Sequence, residues 1–198
     1  MLTKAERTSQ FIIETVAPIF NKKGYAATSM ADLTRATGLT KGALYGNFAN
    51  KEELALEAFN YNVRRLLKDV GEAVKSAETG YDKLKAMTNW YVNYYRLSAD
   101  FGGCPVLNVS VDSQNNDEIL ANRARDVIRK LKRHVQEMIE LGQKDGTLRE
   151  ELDAADWSGK IYSMIQGSIF VALTLKDPSH IHSMIQQVDH AIETEMKR

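Results

Sequence analysis

Thr40, Lys41, Gly42 and Ala43 stand in a row where a short helix should begin, and their chemistry suits the edge of a base pair. A lysine ammonium donates to guanine acceptors or to phosphate, and an alanine methyl meets a thymine methyl. Glycine and alanine also let a backbone come close. Thr28, Tyr45, Asn47 and Lys51 add hydroxyl, phenol, amide and ammonium donors. Such groups suit phosphate oxygens, where contacts fix register without reading sequence. From Lys22 to Lys51 the bases are Lys22, Lys23, Arg35, Lys41 and Lys51, and the one acid is Asp32. Across the chain 26 basic and 26 acidic residues cancel, so the positive field is local. That pattern fits a reader of duplex DNA whose remaining residues do something else.

A second group is aromatic. Trp90, Tyr91, Tyr94 and Tyr95 place four large rings within six residues. Such a cluster either fills a helical core or walls a small-molecule site, and a pocket in a helical domain is a packed core with a gap. With Cys104, Leu107 and Val111 these rings are the candidate effector-binding residues. Cys104 is the only cysteine, so no internal disulfide is available. It follows two glycines and precedes Pro105, at the start of a short helix. There it is either a small buried apolar group or a thiol that senses an electrophile or oxidant. His180, His182 and His190 do not converge at helical spacing, and His134 has no partner at ligand spacing, so no metal site and no cofactor is expected. No phosphate-binding loop, dinucleotide glycine motif or glycine-flanked serine is present, and an enzyme is the least favoured class.

The elements that would position the first group are legible. Ser29 and Asp32 have capping-box spacing, so a helix starts at Met30, with Leu33 and Ala36 as its inner face. Gly38 ends it in a left-handed turn that only glycine adopts cheaply. Thr40 caps a second helix from Lys41 to about Gly46, with Leu44 and Phe48 inside. Asn50 caps the next, with Glu53 at the reciprocal position. Two short helices joined by a glycine turn make a helix-turn-helix, whose second helix enters the major groove N-terminus first. Ahead of it, a helix from Lys4 to Lys22 buries Ile12, Val16, Ile19 and Phe20, is capped by Thr3 with Glu6, and carries Pro18 inside its span.

The stretch FNKKGYAATSMADLTRATGLTKGALYGNFANKEEL resembles the DNA-binding domain of the tetracycline-repressor (TetR) family of transcriptional regulators. Asn47 stands where many members carry histidine. The segment Gly103, Cys104 and Asn108, a GC-x-x-x-N arrangement, resembles a C-terminal subgroup of that family, some of whose members sense electrophiles. The resemblance implies a homodimer on a near-palindromic operator, repression, and release by a small-molecule effector.

The rest of the chain is expected to be helical, with three prolines in all to interrupt it. A long helix from Asn50 to Lys75 should lead out of the head, followed by one aromatic helix over Tyr81–Ala99. An amphipathic helix over Asp117–Leu141 should bury Ile119, Val127, Leu131, Val135 and Met138. Its basic outer side, interspersed with acids, reads as a solvated face. From Met164 to Leu175 the chain is apolar nearly all round, so the helix must be covered on every side. The expected cover is a second subunit, with Ile161, Ile165, Ser168, Ile169, Ala172, Ile181, Ile185 and Val188 in a four-helix dimer interface. The expectation is an all-α fold of about nine helices. A three-helix helix-turn-helix head, residues 1–50, should sit on a larger helical bundle, residues 51–198, that binds effector and dimerises. No signal peptide and no membrane span are read, and a cytoplasmic location is expected. The function expected is a ligand-responsive repressor with double-stranded DNA, effector and a second copy as partners. The alternative is a DNA-binding dimer without ligand control.

Overall fold

The computed structural model describes residues 3–114 and 117–198, the side chains of residues 99–101 excepted. Among them are ten α-helices, one π-helical turn and no strand. The helices are α1 (Lys4–Lys23), α2 (Met30–Thr37), α3 (Lys41–Tyr45), α4 (Lys51–Ser76), α5 (Gly80–Tyr91), α6 (Tyr94–Phe101), α7 (Pro105–Ser113), α8 (Glu118–Asp145), α9 (Ala154–Leu175) and α10 (Ser179–Ala191). The π-helical turn Ile192–Met196 follows α10. No helix among the described residues is long and apolar enough to cross a membrane.

Packing divides the chain into two compact units. One holds Met1–Leu66 and Asp100–Asp126, the other Leu67–Ala99 and Val127–Arg198. The packing division falls inside α4, α6 and α8. In the first unit α1 starts with the expected capping box, the Glu6 N–H donating to Thr3 Oγ1 at 3.2 Å and the Thr3 N–H to Glu6 Oε2 at 2.7 Å. It runs unbroken through Pro18 and buries Ile12, Val16, Ala17 and Phe20. Asn62 of α4, itself buried, donates to the Ala17 carbonyl at 2.9 Å. That carbonyl accepts a side chain from outside its helix, a bond that ties α4 to α1.

In the second unit the expected single aromatic helix is two. After Tyr91 the backbone tightens, with the Asn93 N–H donating to the Trp90 carbonyl. The Val92 carbonyl faces His182 Nε2 at 3.1 Å, an acceptor taken up by α10. Splitting this helix raises the count above nine. Where α5 meets α8, a methyl added at Gly80 would come within 2.1 Å of the Gly142 backbone nitrogen, so the crossing requires glycine. Thr88, fully buried, donates to Asp189 of α10 at 2.7 Å, and Lys85 pairs with the same carboxylate at 2.9 Å. On α8, Leu120 is buried in place of the expected Ile119, which is half exposed. The Asp117 carboxylate accepts the Leu120 N–H and sets the helix start one residue later.

Candidate nucleic-acid interface

α2 begins as its residues dictate. The Asp32 N–H donates to Ser29 Oγ at 3.2 Å and the Ser29 N–H to Asp32 Oδ2 at 2.8 Å. Lys23 Nζ lies 2.6 Å from the same oxygen. The Lys23 hydrogen bond first, and the Ser29 bonds next, hold the Asp32 carboxyl far below the usual carboxylate range. A negative charge at this end also complements the helix dipole. α2 ends at Gly38, left-handed at φ 69°. Its buried face is Leu33 and Thr37, while Ala36 is exposed. The four-residue step keeps Thr37 on the Leu33 face, and its hydroxyl is satisfied by the Leu33 carbonyl at 2.8 Å.

α3 is a single short helix that buries Leu44. Thr40 Oγ1 accepts the Ala43 N–H at 3.1 Å, which leaves its hydroxyl hydrogen to donate outward. Thr40, Lys41, Gly42 and Tyr45 are exposed and Ala43 is half-buried. Lys41 Nζ lies 5.8 Å from the Tyr45 ring centre, a loose contact that leaves the ammonium in water. These five therefore form one surface at the start of α3. Arg35, exposed on α2, adds a cation that sequence reading counted as charge without making it a site residue. Its place opposite the Leu33 face was the signal available.

The other three expected DNA contacts are engaged within the chain, Thr28 buried and Asn47 and Lys51 half-buried. Thr28 is 1% exposed and its hydroxyl donates to the Gly24 carbonyl at 2.6 Å. Asn47 ties α3 to α1, since its Oδ1 accepts from Ser9 Oγ at 3.0 Å and its Nδ2 donates to the Ala43 carbonyl at 2.9 Å. Lys51 Nζ donates to the Tyr25 carbonyl at 2.7 Å and sits 4.3 Å from the Tyr25 ring centre. Burial pulls the Lys51 ammonium down, opposed by the charge of Asp112. Thr28 and Asn47 satisfy backbone carbonyls four residues away, as short polar side chains do, whereas the longer Lys51 reaches a carbonyl on the turn after α1.

The expected effector residues fall in both units. In the second, Trp90, Tyr91 and Tyr94 form a ring cluster with centroids 5.0–5.5 Å apart. Tyr91 and Tyr94 are buried, and Tyr95 is half-buried. The Trp90 indole N–H is buried and has no hydrogen-bond partner among the described residues. In the first unit Cys104 is buried at the N-cap of α7, Leu107 is half-buried, and Val111 is 68% exposed, so Val111 does not wall a closed cavity there. A cleft in that unit is lined by Asn21, Tyr25, Phe59, Asn62, Asn108 and Asp112 among others, and by none of the expected effector residues. It leaves about 30 Å³ for the centres of water-sized molecules, room for a water or two.

The expected dimer residues are a correction. Ile161, Ile165, Ser168, Ile169, Ala172, Ile181, Ile185 and Val188 are all buried within one chain, none more than 6% exposed. They are the seam between α9 and α10 and the core beneath it. The face of α9 left open carries Ser163, Gly167, Phe170 and Thr174, with Phe170 53% exposed. Among the described residues no group of His, Cys, Asp and Glu is placed to hold a metal.

Comparison with known proteins agrees with this geometry. Residues 12–58 match the family model described as bacterial regulatory proteins, tetR family, and residues 80–188 match the tetracyclin repressor-like C-terminal domain. A TetR-family transcriptional regulator from Cytophaga hutchinsonii is 32% identical, with a TM-score of 0.90 over 100% of this chain and 98% of that one. A TetR transcriptional regulator from Chloroflexus aurantiacus is 26% identical, with a TM-score of 0.92 over 99% of both chains. An uncharacterized HTH-type transcriptional regulator from Lactococcus lactis is 26% identical over 178 residues, 89% of this chain and 88% of that protein. A capped helix-turn-helix with an exposed basic start to its second helix, carried on an all-helical chain that both models match, makes this protein a member of the TetR family of transcriptional regulators.

Proposed function

We propose that the protein is a ligand-responsive repressor that binds a near-palindromic operator as a homodimer. The observation that carries the DNA-binding part is the surface at the start of α3. Thr40, Lys41, Gly42, Ala43 and Tyr45 are presented there, while Asn47 is spent on holding the helix against α1. Residues 1–50 read DNA and residues 51–198 sense effector and dimerise. Direct readout falls to Lys41 and Ala43, phosphate contact to Thr40, Tyr45 and Arg35. The test is a duplex selected from a random-sequence library by the wild-type protein. Lys41→Ala should bind it several-fold more weakly, about one kcal/mol or more, with a salt slope shallower by about one unit. Unchanged affinity at physiological salt removes Lys41 from the interface.

The unpartnered Trp90 N–H supports the effector part, because a bound molecule with an acceptor would satisfy it. Control by such a molecule requires that it bind one arrangement of the dimer more tightly than the other. The dimer itself is assigned to the outward face of α9. Gly167 is exposed and a methyl there would meet nothing within 4 Å, so nothing inside the chain requires glycine at that point. A glycine inside a helix costs about 1 kcal/mol relative to alanine, which close approach by a second copy beside Phe170 would offset. Repression is the sign the family resemblance implies. No catalytic role is assigned, and the protein acts in the cytoplasm, where its DNA is.

A further inference from the structure

Residues 24–28 connect α1 to the capping residue of α2, and the peptide groups of Gly24 and Tyr25 are all taken up. The Gly24 N–H donates to the Phe20 carbonyl at 2.9 Å, and the Gly24 carbonyl accepts from Thr28 Oγ1. The Tyr25 carbonyl accepts from Lys51 Nζ of α4. The Tyr25 N–H donates to Asp112 Oδ2 of α7 at 2.6 Å. Gly24 lies at φ 84°, a conformation strained for any other residue, and the Asp112 carboxylate is packed against its Cα. One turn earlier on α7, Asn108 Nδ2 donates to the Asn21 carbonyl at 3.0 Å and to the Gly102 carbonyl at 3.2 Å. Asn21, buried near the end of α1, returns a bond from its Nδ2 to the Gly103 carbonyl at 3.1 Å. Asn108 and Asp112, four residues apart, thus share one face of α7, and that face grips the end of α1 and the turn after it. Residue 108 closes the GC-x-x-x-N segment, whose asparagine had no role from sequence.

We infer that Asn108 and Asp112 are positioning residues for DNA recognition, fixing the α1–α2 turn and through it the placement of α2 and α3. This rests on the DNA-binding reading above. α7 lies within the stretch matched by the C-terminal domain model, yet it packs in the unit that holds the helix-turn-helix. A shift of α7 therefore registers at the Tyr25 N–H directly. Asp112 accepts through a charged oxygen, the stronger kind of hydrogen bond, and Asn21, which exchanges bonds with the Asn108 segment, is itself buried. With Asp112 removed, the turn relaxes and the two short helices sample more orientations. Contacts that need one orientation weaken. Attraction to phosphate does not, because removing a carboxylate makes the surface no less positive.

The test uses the full chain, the duplex selected by wild type from a random library, and a scrambled duplex of equal length. Asp112→Ala and Asn108→Ala should each bind the selected duplex about tenfold more weakly while binding the scrambled one within about threefold of wild type. Amide exchange should quicken over residues 25–45, the turn with α2 and α3, and not throughout the chain. Asp112→Asn, equally neutral but still an acceptor for the Tyr25 N–H, should recover affinity to within about threefold. If both alanine variants bind the selected duplex like wild type with unchanged exchange, the inference is wrong. It is equally wrong if both affinities fall together and exchange quickens throughout, since that is loss of stability alone. Should Asp112→Ala not fold at the assay temperature, Asn108→Ala and Asp112→Asn decide by the same criteria. If wild type selects no duplex, the DNA-binding reading fails. The exchange comparison still decides whether α7 positions the turn.

Discussion

Phe170 and Ile169 are neighbours on α9, and aspartate at each should have opposite consequences. Ile169 is 0% exposed within one chain, whereas Phe170 is 53% exposed. A phenylalanine side chain carries about 150–250 Å², so covering the exposed half of Phe170 removes about 100 Å² from water. At about 25 cal/mol per Å² this contributes about 2.5 kcal/mol per subunit and about 5 kcal/mol per dimer. Phe170→Asp forfeits that contribution and places a carboxylate on each side of the interface, where an unpaired charge costs several kcal/mol more. The dimer dissociation constant should rise by more than about a thousandfold. The single chain should lose little, because an exposed aspartate in the last turns of a helix costs less than about 1 kcal/mol. Sedimentation velocity at micromolar protein, paired with circular dichroism, reads both quantities. The expected result is a folded monomer with lost operator binding. Ile169→Asp should instead unfold or aggregate, since it buries the charge in the chain's own core. A Phe170→Asp protein that sediments as wild type does would refute the assignment of α9's open face to the second copy. A folded, monomeric Ile169→Asp would refute the claim that the α9–α10 seam is internal.

Gly80→Ala should destabilise the chain by about 3 kcal/mol or more, because its methyl meets backbone at Gly142 and no side chain can step aside; chemical denaturation measures it, and a cost below about 1 kcal/mol would mean the crossing of α5 and α8 is wider than described. Asp32 has a folded-state pKa below its unfolded one, so its contribution to stability is present above the ordinary aspartate pKa of about 4 and is lost as pH falls through the lower folded value. The difference in thermal midpoint between wild type and Asp32→Asn should therefore shrink from pH 6 to pH 2; a constant difference contradicts the pairing with Lys23 and Ser29. Cys104 is 2% exposed, so iodoacetamide should label it at least about a hundredfold more slowly in the folded protein than in urea. Fast labelling of the folded protein would favour the electrophile-sensing role over packing.

Much of the architecture was legible in local sequence. Thr3 with Glu6, Ser29 with Asp32, and Thr40 ahead of Ala43 all form the caps their spacing predicts. Gly38 takes the left-handed turn, and Asn50 accepts the Glu53 N–H. The reciprocal Glu53 bond goes instead to the Ala49 N–H, one residue earlier. Caps and turns are settled by atoms a few residues apart, so residue type and spacing specify them. The exposed start of α3 followed from the same local rules.

The direction each polar or apolar side chain takes depended on what lies across from it. Thr28, Asn47 and Lys51 have the chemistry of phosphate ligands, but the Gly24, Ala43 and Tyr25 carbonyls and the Ser9 hydroxyl lie within reach and claim them. The eight apolar and small residues assigned to a partner are covered by the chain itself, because α10 folds back on α9. An all-round apolar helix states that it must be covered and is silent about by what. The aromatic helix breaks at Val92, whose carbonyl faces His182, ninety positions away. Asn108 reaches Asn21 across a similar gap in sequence. Helix identity and the capped helix ends were thus determined by the sequence at short range, and the break at Val92 was not. Which faces stay open to DNA or to a second subunit was decided by tertiary packing, since burial is a property of pairs of surfaces that no single stretch contains.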